Sequence, residues 1–551
     1  MPSRRSPKHR APKPQPQPQP QPPTRTDSQL TAATTAGSAE PPAARRQWLS
    51  TAVRVGALAV AAALTTYFAR DTPNALGLAP QTAEPQAPSA NVGFMAHVLQ
   101  KSQGQNICKP EGFVKDTYSD FDRIEALNHR VAGPLKRLVR TRFFRTLRVE
   151  LYKPCPFWSS EGSCFQRDCI VQPMDDDRVP QQWRAQTVDQ TNFGPFLGSF
   201  PVQRQEFSEK DFAIVNDETY GEGVWLDLVD NPERFTGYAG AGANAIWMSI
   251  YQDNCFGVPP YLQDTAGGWG SQLVNVDGKS MPFVQPPQKP GDLAAFLQSL
   301  AEEDRGLTLA QDVPHEYRVF YRTVSGLHAS ISAHICADYF NATSNRWEPN
   351  LSCFISRIGA FPDRLQNIYF NYVLLTSAIQ KMHPYLAAYD YSTGFAKDDR
   401  AVARLMPRIL GSIKNAGLMF DGSELFRGAA GQALKAEFKD NFRNISRIMD
   451  CTGCEKCRLW GKTQTLGIGT AMKALFSYPD RAFRGRFTTL DFKRNEIVAL
   501  ITTYFQFSCS IEGIEMFRHM YQDFVNDWQA TSASASASVP NTADSPVLSS
   551  K

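Results

Sequence analysis

The chain has 551 residues, of which 42% are hydrophobic and 11% aromatic, so it is long and apolar enough to bury a sizeable core. Its formal net charge is +4, and residues 1–46 alone carry eight Lys and Arg residues against Asp27 and Glu40, which leaves the rest of the chain near neutral. A near-neutral body excludes the basic face of a nucleic-acid-binding protein, so we expect no nucleic-acid partner.

The first segments predict delivery to a membrane system. Residues 1–46 hold 11 of the 38 prolines and a QPQPQPQPQP run, which indicates a disordered basic tail. Residues 48–69 contain a short apolar stretch behind basic residues, which is typical of a signal anchor or of a signal peptide with a long leader. A buried core helix is the alternative for this stretch. Residues 70–95 indicate a Pro/Ala linker.

Residues 96–530 have the composition of one folded body, and its patterns favour helices over strands. We predict helices at residues 364–383, 399–413, 469–476 and 495–528, with the first buried on most of its circumference and the last broken near residues 508–513. Residues 155–230, rich in Pro, Asp and Gly, predict a long loop, and the Ser/Ala-rich tail 531–551 predicts disorder. The expected fold is mainly α, a single helical-bundle-type domain with long cysteine-bearing loops.

Six of the eleven cysteines form two clusters, Cys155–Cys164–Cys169 and Cys451–Cys454–Cys457. The second cluster overlaps two CxxC motifs, and a CxxC can close a small redox-active disulfide whose thiolate a helix N-terminus or a nearby cation favours. Lys456 and Arg458 supply such cations. The CxxxxC of the first cluster can close a disulfide in a loop that moves between partners.

Other interpretations of the two clusters remain open on spacing alone. Two groups of three thiols can ligate zinc, and CxxCxxC resembles part of an iron–sulfur ligand run. A structural disulfide framework is also typical of translocated proteins, and three Asn-x-Ser/Thr triplets, at Asn341, Asn350 and Asn444, fit a lumenal body. Residues 240–245 match the GxGxxA pattern of dinucleotide folds, but no apolar strand precedes them, which favours a loop.

One long motif is more specific than any of these spacings. CTGCEKCRLWGKTQTLGIGTAMKALF, residues 451–476, is very similar to the signature of the endoplasmic reticulum oxidoreductin family of FAD-dependent thiol oxidases. Segments 151–169, 224–256, 320–335 and 361–373 resemble family segments in the same order, so the resemblance covers about residues 105–525. It implies that the mainly α domain is a flavoprotein.

The resemblance also implies roles for individual residues. Cys454 and Cys457 would form the active-site disulfide, Cys164 and Cys169 the shuttle disulfide that faces partners, and Cys155 and Cys451 a long-range structural pair. The positions that match the FAD-binding residues of the family are Arg234, Thr236, Trp247, Ser325, His328 and Arg364. Arginine suits a diphosphate, and tryptophan can stack on a ring.

Some positions depart from the family. Ser377 stands where an arginine is expected, Thr117 and Ser119 stand where cysteine partners of Cys108 are expected, and Met174 replaces a regulatory cysteine of some relatives. The pairing of Cys108, Cys255, Cys336, Cys353 and Cys509 stays unassigned. Inhibitory disulfides are therefore expected to be simplified or rewired.

The function that the resemblance implies is disulfide formation in the endoplasmic reticulum lumen. Reduced protein disulfide isomerase, or a similar thioredoxin-fold carrier, would reduce the shuttle pair, and electrons would pass through the active-site pair and FAD to oxygen, releasing hydrogen peroxide. The N-terminal segment would anchor the body as a type II membrane protein. The alternatives are a zinc-binding or disulfide-stapled structural module without turnover, and a redox-dead scaffold that binds carriers.

Overall fold

The structure is a computed structural model that describes residues 107–108, 110, 112–157, 169–184, 212, 223–233, 246–247, 249–255, 314–341, 343–485, 487 and 489–537. All of these residues belong to the unit Pro85–Lys551. The predicted basic tail, the apolar segment 48–69 and the linker 70–95 lie outside the described residues.

Helices dominate the described part of the chain, which confirms the predicted fold class. They are α1 (Phe121–Leu138), α2 (Arg142–Arg145), α3 (Gln181–Arg184), α4 (His315–Ala337), α5 (Leu351–Phe354), α6 (Pro362–Ala388), α7 (Ala396–Lys414), α8 (Gly428–Ile448), α9 (Glu455–Met472) and α10 (Arg494–Ala537). Two antiparallel strand pairs accompany them in the described part: β1 (Thr146–Val149) pairs with the distant β2 (Val224–Asp227), and β3 (Tyr339–Asn341) forms a hairpin with β4 (Arg346–Glu348).

The centre of the core is built by α4, α6, α9 and α10, which pack on one another. Helix α6 is buried on most of its surface, as its continuous apolar sequence predicts. It extends past the predicted end at His383 and past Pro384, because Tyr385 and Leu386 are fully buried and the Tyr385 hydroxyl donates to the carbonyl of Phe492 at 3.3 Å. Tertiary packing outweighs the hydrogen bond that Pro384 cannot donate.

The predicted break in the last helix is wrong, because α10 continues through residues 508–513. The polar side chains that suggested a break have partners: the Ser508 hydroxyl donates to the side-chain oxygen of Asn128 at 2.6 Å, and the Ser510 hydroxyl donates to the Gln506 carbonyl at 3.1 Å. Helix α10 also extends seven residues beyond the predicted boundary at residue 530, into the Ser/Ala repeat. Alanine favours helix propagation from an existing end.

Helix α10 is also the one helix in the described ranges that is long and apolar enough to cross a membrane. Its segment Arg494–Thr531 has a mean hydropathy of 1.3 in its most apolar window, and 83% of that window is buried inside the protein. Burial to this extent is typical of a core helix of a globular domain.

The contact between α9 and α10 depends on Gly467. A Cβ atom at this position would lie 2.2 Å from Oγ1 of Thr503 and 2.6 Å from the carbonyl oxygen of Ala499. We expect Gly467→Ala to lower the free energy of unfolding by about 2 kcal/mol, because backbone on one side leaves no room for repacking. Urea denaturation checks this, because the midpoint should fall while the dependence of the unfolding free energy on urea concentration stays unchanged.

Gly513 supplies the matched control for this substitution. It lies in α10, and nothing is within 4 Å of a Cβ atom built there. Gly513→Ala is expected to raise the free energy of unfolding by about 0.5–1 kcal/mol through helix propensity. If the two variants had equal urea denaturation midpoints, the missing side chain at Gly467 would not be what allows α9 to approach α10 closely.

Candidate active site

The cysteine triad lies where α8 ends and α9 begins. Cys454 is the N-cap of α9, and its Sγ accepts a hydrogen bond from the backbone N–H of Cys457 at 3.3 Å. Both are buried, at 4% and 2% exposure, and both are thiols in this structure rather than the implied disulfide. The N-terminus of a helix favours a thiolate, so this location suits a redox-active pair that exchanges between the two states.

The two thiols are not equivalent. The pKa of Cys454 is lowered, first by the hydrogen bond from the Cys457 side chain and then by backbone N–H groups and the charge of Lys456, although burial opposes the shift. Burial, the largest cause, and the neighbouring Cys454 raise the pKa of Cys457 well above its usual value. Cys454 is therefore the more readily ionised thiol of the pair, and Cys457 holds its proton more strongly.

The segment that carries the implied shuttle cysteine lies directly against Cys454. The Cys454 Sγ is 3.9 Å from the carbonyl oxygen of Cys169, and the backbone N–H of Val171 donates to the Glu455 carboxylate at 3.0 Å. Cys169 is disulfide-bonded. Its implied partner, Cys164, lies outside the described residues, so the shuttle pairing stays a prediction.

Cys155 and Cys451 are joined by a disulfide across 296 residues of sequence, the pair that the resemblance implies. On the chain-entropy model, closing a loop of this size removes roughly 5 kcal/mol of unfolded-state entropy. Nearby, the Lys462 ammonium donates to the Glu150 carbonyl at 2.6 Å. The start of the shuttle segment is thus fastened to the turn before Cys454 and Cys457, which we call the inner pair.

A second group of predicted residues gathers on α4. The rings of Trp247 and His328 are stacked, with centroids 3.6 Å apart and planes 7° apart. The Tyr251 hydroxyl lies 3.3 Å from Nδ1 of His328, and Ser325 accepts a hydrogen bond from the Asn367 side chain at 3.0 Å. The structure therefore brings Trp247, Ser325 and His328 to one buried place.

Two arginines make this place electropositive. Arg364 donates to the carbonyl of Arg357 at 3.0 Å, and its guanidinium lies 3.4 Å from the centroid of the Phe361 ring. Burial lowers the pKa of Arg357 to about 10, and burial together with the charges of Arg364 and Arg357 lowers the pKa of His328 well below its usual value. His328 therefore stays neutral at physiological pH.

This donor set fits FAD. Two buried guanidinium groups suit a diphosphate, and the Trp247 and Tyr251 rings offer aromatic surface for the ring systems. Arg234 and Thr236, the other predicted FAD-binding residues, lie outside the described residues. The sequence reasoning missed Tyr251 and Arg357, which lie four and seven residues from Trp247 and Arg364 and reach the site through contacts that sequence spacing does not reveal.

The remaining positions are explained by local contacts. Ser377 accepts a hydrogen bond from the Phe420 backbone N–H at 3.1 Å, so it serves packing where an arginine was expected. Cys336 and Cys353 form a disulfide across the β3–β4 hairpin, a pairing that the sequence left open. Burial raises the pKa of Cys108 to about 12 and that of Cys255 further, so both sites favour the thiol over the thiolate.

Clustered thiols are also candidate metal ligands. Within the described ranges, no group of three or more His, Cys, Asp or Glu side chains is arranged to hold a metal ion. Cys155 and Cys451, one cysteine from each cluster, are joined in a disulfide and so cannot act as thiolate ligands. The zinc interpretation therefore loses a candidate ligand from each of its two groups of three.

Comparisons with known proteins agree with the family resemblance of the sequence. The family model described as Endoplasmic Reticulum Oxidoreductin 1 matches residues 130–514. Endoplasmic reticulum oxidoreductin-1 of Neurospora crassa is 36% identical over a match that covers 77% of this chain and 70% of that relative. For endoplasmic oxidoreductin-1 of Saccharomyces cerevisiae the identity is 33%, with 74% of this chain and 66% of the relative covered.

The similarity extends to animal proteins and to a solved structure. ERO1-like protein alpha of Rattus norvegicus is 33% identical, and the match covers 76% of this chain and 92% of the relative. The solved structure of Ero1p, described as the source of disulfide bonds for oxidative protein folding in the cell, is 29% identical with a TM-score of 0.45, over 73% of this chain and 99% of that one.

Proposed function

Because this chain belongs to the Endoplasmic Reticulum Oxidoreductin 1 family of oxidoreductases, we propose that it makes disulfides in the lumen of the endoplasmic reticulum and passes them to a carrier protein. The observation that carries the proposal is the location of Cys454. It caps α9 with a lowered pKa, and the carbonyl of the disulfide-bonded Cys169 lies 3.9 Å from its sulfur. An outer disulfide thus lies beside an inner dithiol.

The proposed relay has two thiol–disulfide exchanges. A reduced carrier of the protein disulfide isomerase type attacks the Cys164–Cys169 disulfide, becomes oxidised and leaves the shuttle pair as a dithiol. The shuttle dithiol then reduces the Cys454–Cys457 disulfide by attack at Cys454, and two electrons and two protons move inward. Attack at Cys454 is favoured because the shuttle segment lies against its sulfur, and Cys454 then departs readily from the mixed disulfide because its thiolate is stabilised at the helix N-terminus.

The residues of α4 and its neighbours would hold the electron acceptor. When bound, FAD would supply a two-electron acceptor for the inner dithiol and pass the electrons to oxygen, giving hydrogen peroxide. Arg364 and Arg357 would bind its diphosphate, with Arg234 and Thr236 as further ligands, and Trp247, Ser325 and His328 would orient its rings. His328, kept neutral by burial and by the charges of the two arginines, which lower its pKa, offers a hydrogen bond without adding charge.

The two pairs divide the work because the inner pair is buried. Cysteine residues with 4% and 2% exposure cannot meet a folded carrier directly. The shuttle segment would connect the carrier with the inner pair. It contacts Cys454 at Cys169, and it belongs to the predicted cysteine-bearing loop of residues 155–230. Residues 48–69 would anchor the domain to the membrane as a type II protein, and this proposal depends on residues outside the described part.

An absorption spectrum followed by oxygen uptake tests the proposal. We expect the purified full chain to show a flavin spectrum and to consume oxygen when a reduced thioredoxin-fold carrier is added, with hydrogen peroxide as a product. The matched reaction with the carrier in its disulfide form should consume none. A colourless protein with stoichiometric zinc would overturn the proposal in favour of the structural module.

A further inference from the structure

Helices α1 and α7 pack side by side in antiparallel directions. The backbone N–H of Arg142, which follows α1, donates to the side chain of Asp398 at the start of α7 at 2.9 Å. At the other end, the backbone N–H of Met419, which follows α7, donates to the hydroxyl of Ser119 just before α1 at 3.2 Å. The two helices therefore lie against each other over the whole length of α1, about 27 Å for its 18 residues.

The outward surface of this helix pair is basic. Each helix turns an apolar face to the core, as the burial of Leu127 and Val131 on α1 and of Leu405 and Ile409 on α7 shows. Because the helices are neighbours, their exposed faces adjoin. From residue 126 to 140 and from 400 to 414, the exposed residues are Ala, Gly, Pro, His129, and Lys or Arg. We call these Lys and Arg residues the α1–α7 basic face: Arg130, Lys136, Arg137, Arg140, Arg400, Arg404, Arg408 and Lys414.

This face has no counter-charge within the described part of the chain. Neither stretch, 126–142 nor 400–414, contains an Asp or a Glu, and none of the eight side chains forms an ion pair with a described carboxylate. Glu515 on the neighbouring α10 is paired with His129 at 2.9 Å. The near-neutral total charge of the body led us to expect no basic face, and that expectation is wrong, because acidic residues elsewhere offset these charges in the sum.

Helix electrostatics explains only part of the face. The last turns of α1 and α7 carry cations, which the helix dipole favours there. Arg400, Arg404 and Arg408 have no such explanation, because they lie in the interior of α7. They are spaced four residues apart, so they line one stripe and repel one another, which destabilises a helix. A solvated helix face usually mixes both signs of charge. A stripe of one sign that finds no carboxylate among the described residues points to an anionic partner outside the body.

Exposed aromatic and apolar side chains lie at both ends of the basic face. Where α1 begins and α7 ends, Phe113, Tyr118 and Met419 are 65%, 64% and 57% exposed, the highest values for large hydrophobic side chains among the described residues. The backbone N–H of Tyr118 donates to the Met419 carbonyl at 3.1 Å, so the loop before α1 lies against the end of α7. At the other end, Phe395 is 45% exposed, and the Arg142 guanidinium lies 3.3 Å from its ring centroid. Cations flanked by exposed aromatic residues are typical of surfaces that lie in a membrane interface.

We propose that the α1–α7 basic face binds the anionic headgroups of a phospholipid membrane and so lays the body on the lumenal surface of the bilayer. The proposed location in the lumen of the endoplasmic reticulum puts a phospholipid surface within reach. Each Lys or Arg close to an anionic membrane strengthens attachment by about fivefold, and the exposed aromatic side chains would enter the headgroup region. The proposal rests on that location but not on the relay, and it holds whether or not residues 48–69 also span the bilayer.

Amine labelling of the full chain tests the proposal, because each helix contributes one lysine to the face. Lys136 and Lys414 are acetylated in the presence of phosphatidylcholine vesicles with or without phosphatidylserine, and mass spectrometry gives the rate at each lysine. We expect both rates to fall about tenfold on the anionic vesicles alone and to recover in high salt, which screens the attraction. Lys439 on α8 is the internal control and should react equally with both kinds of vesicle present. Tethering through residues 48–69 would occur on both kinds of vesicle and cancels from the comparison.

Three substitutions on α7 should remove the protection of Lys136 on α1. In the triple variant Arg400→Gln, Arg404→Gln and Arg408→Gln, attraction to the anionic surface should weaken on the order of a hundredfold. The labelling rate of Lys136 on anionic vesicles should then match the rate on neutral vesicles. The same three positions changed to lysine keep their charge, and this second triple variant should keep the protection.

The matched control removes three arginines that lie outside the basic face, Arg346→Gln, Arg427→Gln and Arg443→Gln, and should keep the protection. Equal loss in this control would mean that net charge attracts the membrane, and it would overturn the proposal. Equal protection on both kinds of vesicle, or slow labelling of Lys136 and Lys414 without vesicles, also overturns it, because proximity or the chain itself would then cover the face. Protection by soluble polyglutamate but not by anionic vesicles would assign the face to an acidic protein instead. The readout needs neither cofactor nor turnover, so it stands even if the relay fails.

Discussion

Replacing Cys454 by alanine is expected to lower carrier oxidation by the full chain by about a thousandfold or more, to the background rate. Cys454 is the one thiol of the inner pair with a lowered pKa, and Cys457 is buried with a raised pKa. Cys457 alone therefore cannot start the exchange, and any mixed disulfide that it formed would have no neighbouring thiol to resolve it. Oxygen uptake with a reduced thioredoxin-fold carrier is the measurement.

Cys509→Ala is the matched control for Cys454→Ala. Cys509 is a thiol of α10, the helix that packs on α9, with a pKa that burial raises to about 12, and it is outside the cysteine clusters. Its removal should leave the rate within about threefold of the parent chain, since it deletes one sulfur from a packed site. Carrier oxidation that survives in Cys454→Ala would remove the inner pair from the reaction path.

Replacing Cys169 by alanine is expected to separate two activities. Oxidation of a folded carrier should fall by on the order of a hundredfold or more, because the exchange that the shuttle segment makes intramolecular is lost. Oxidation of dithiothreitol should fall far less, because a small dithiol can enter where the carbonyl of Cys169 lies 3.9 Å from the Cys454 sulfur. The ratio of the two rates, measured on one preparation, is the readout.

The disulfide Cys336–Cys353 gives the control for the loss of a covalent link. It joins α4 to α5 across the β3–β4 hairpin, away from the cysteine triad in sequence and in element order. The double variant Cys336→Ser and Cys353→Ser should keep the ratio of carrier to dithiothreitol oxidation. Equal losses of both activities in Cys169→Ala would mean that this cysteine supports the fold and does not relay disulfides.

The sequence predicts those parts of the fold that depend on local pattern. Helix α6 is apolar around its circumference and is buried, and the CxxC motif lies at a helix N-terminus that stabilises the Cys454 thiolate. The break predicted in α10 fails because the relevant contact is distant in sequence: Ser508 bonds to Asn128, 380 residues away. Local propensity cannot register a partner of this kind.

The candidate site shows the same limit. The FAD-binding positions came from resemblance, since a lone arginine or tryptophan has no pattern of its own. Arg357 belongs to the site through a neighbour on another element, because its carbonyl accepts a hydrogen bond from Arg364. The pairing of Cys336 with Cys353 likewise depends on a hairpin that two three-residue strands form.

The Cys155–Cys451 disulfide can form only late in synthesis of the chain. Its two cysteines are 296 residues apart, so at ordinary rates of synthesis the first waits roughly 15 to 60 s for the second. Cys164 and Cys169 emerge within seconds of Cys155 and are available as wrong partners throughout this interval. Any such early bond would have to be reshuffled before Cys155 could pair with Cys451, which is the reaction of the same class of isomerase that the proposed relay would recharge.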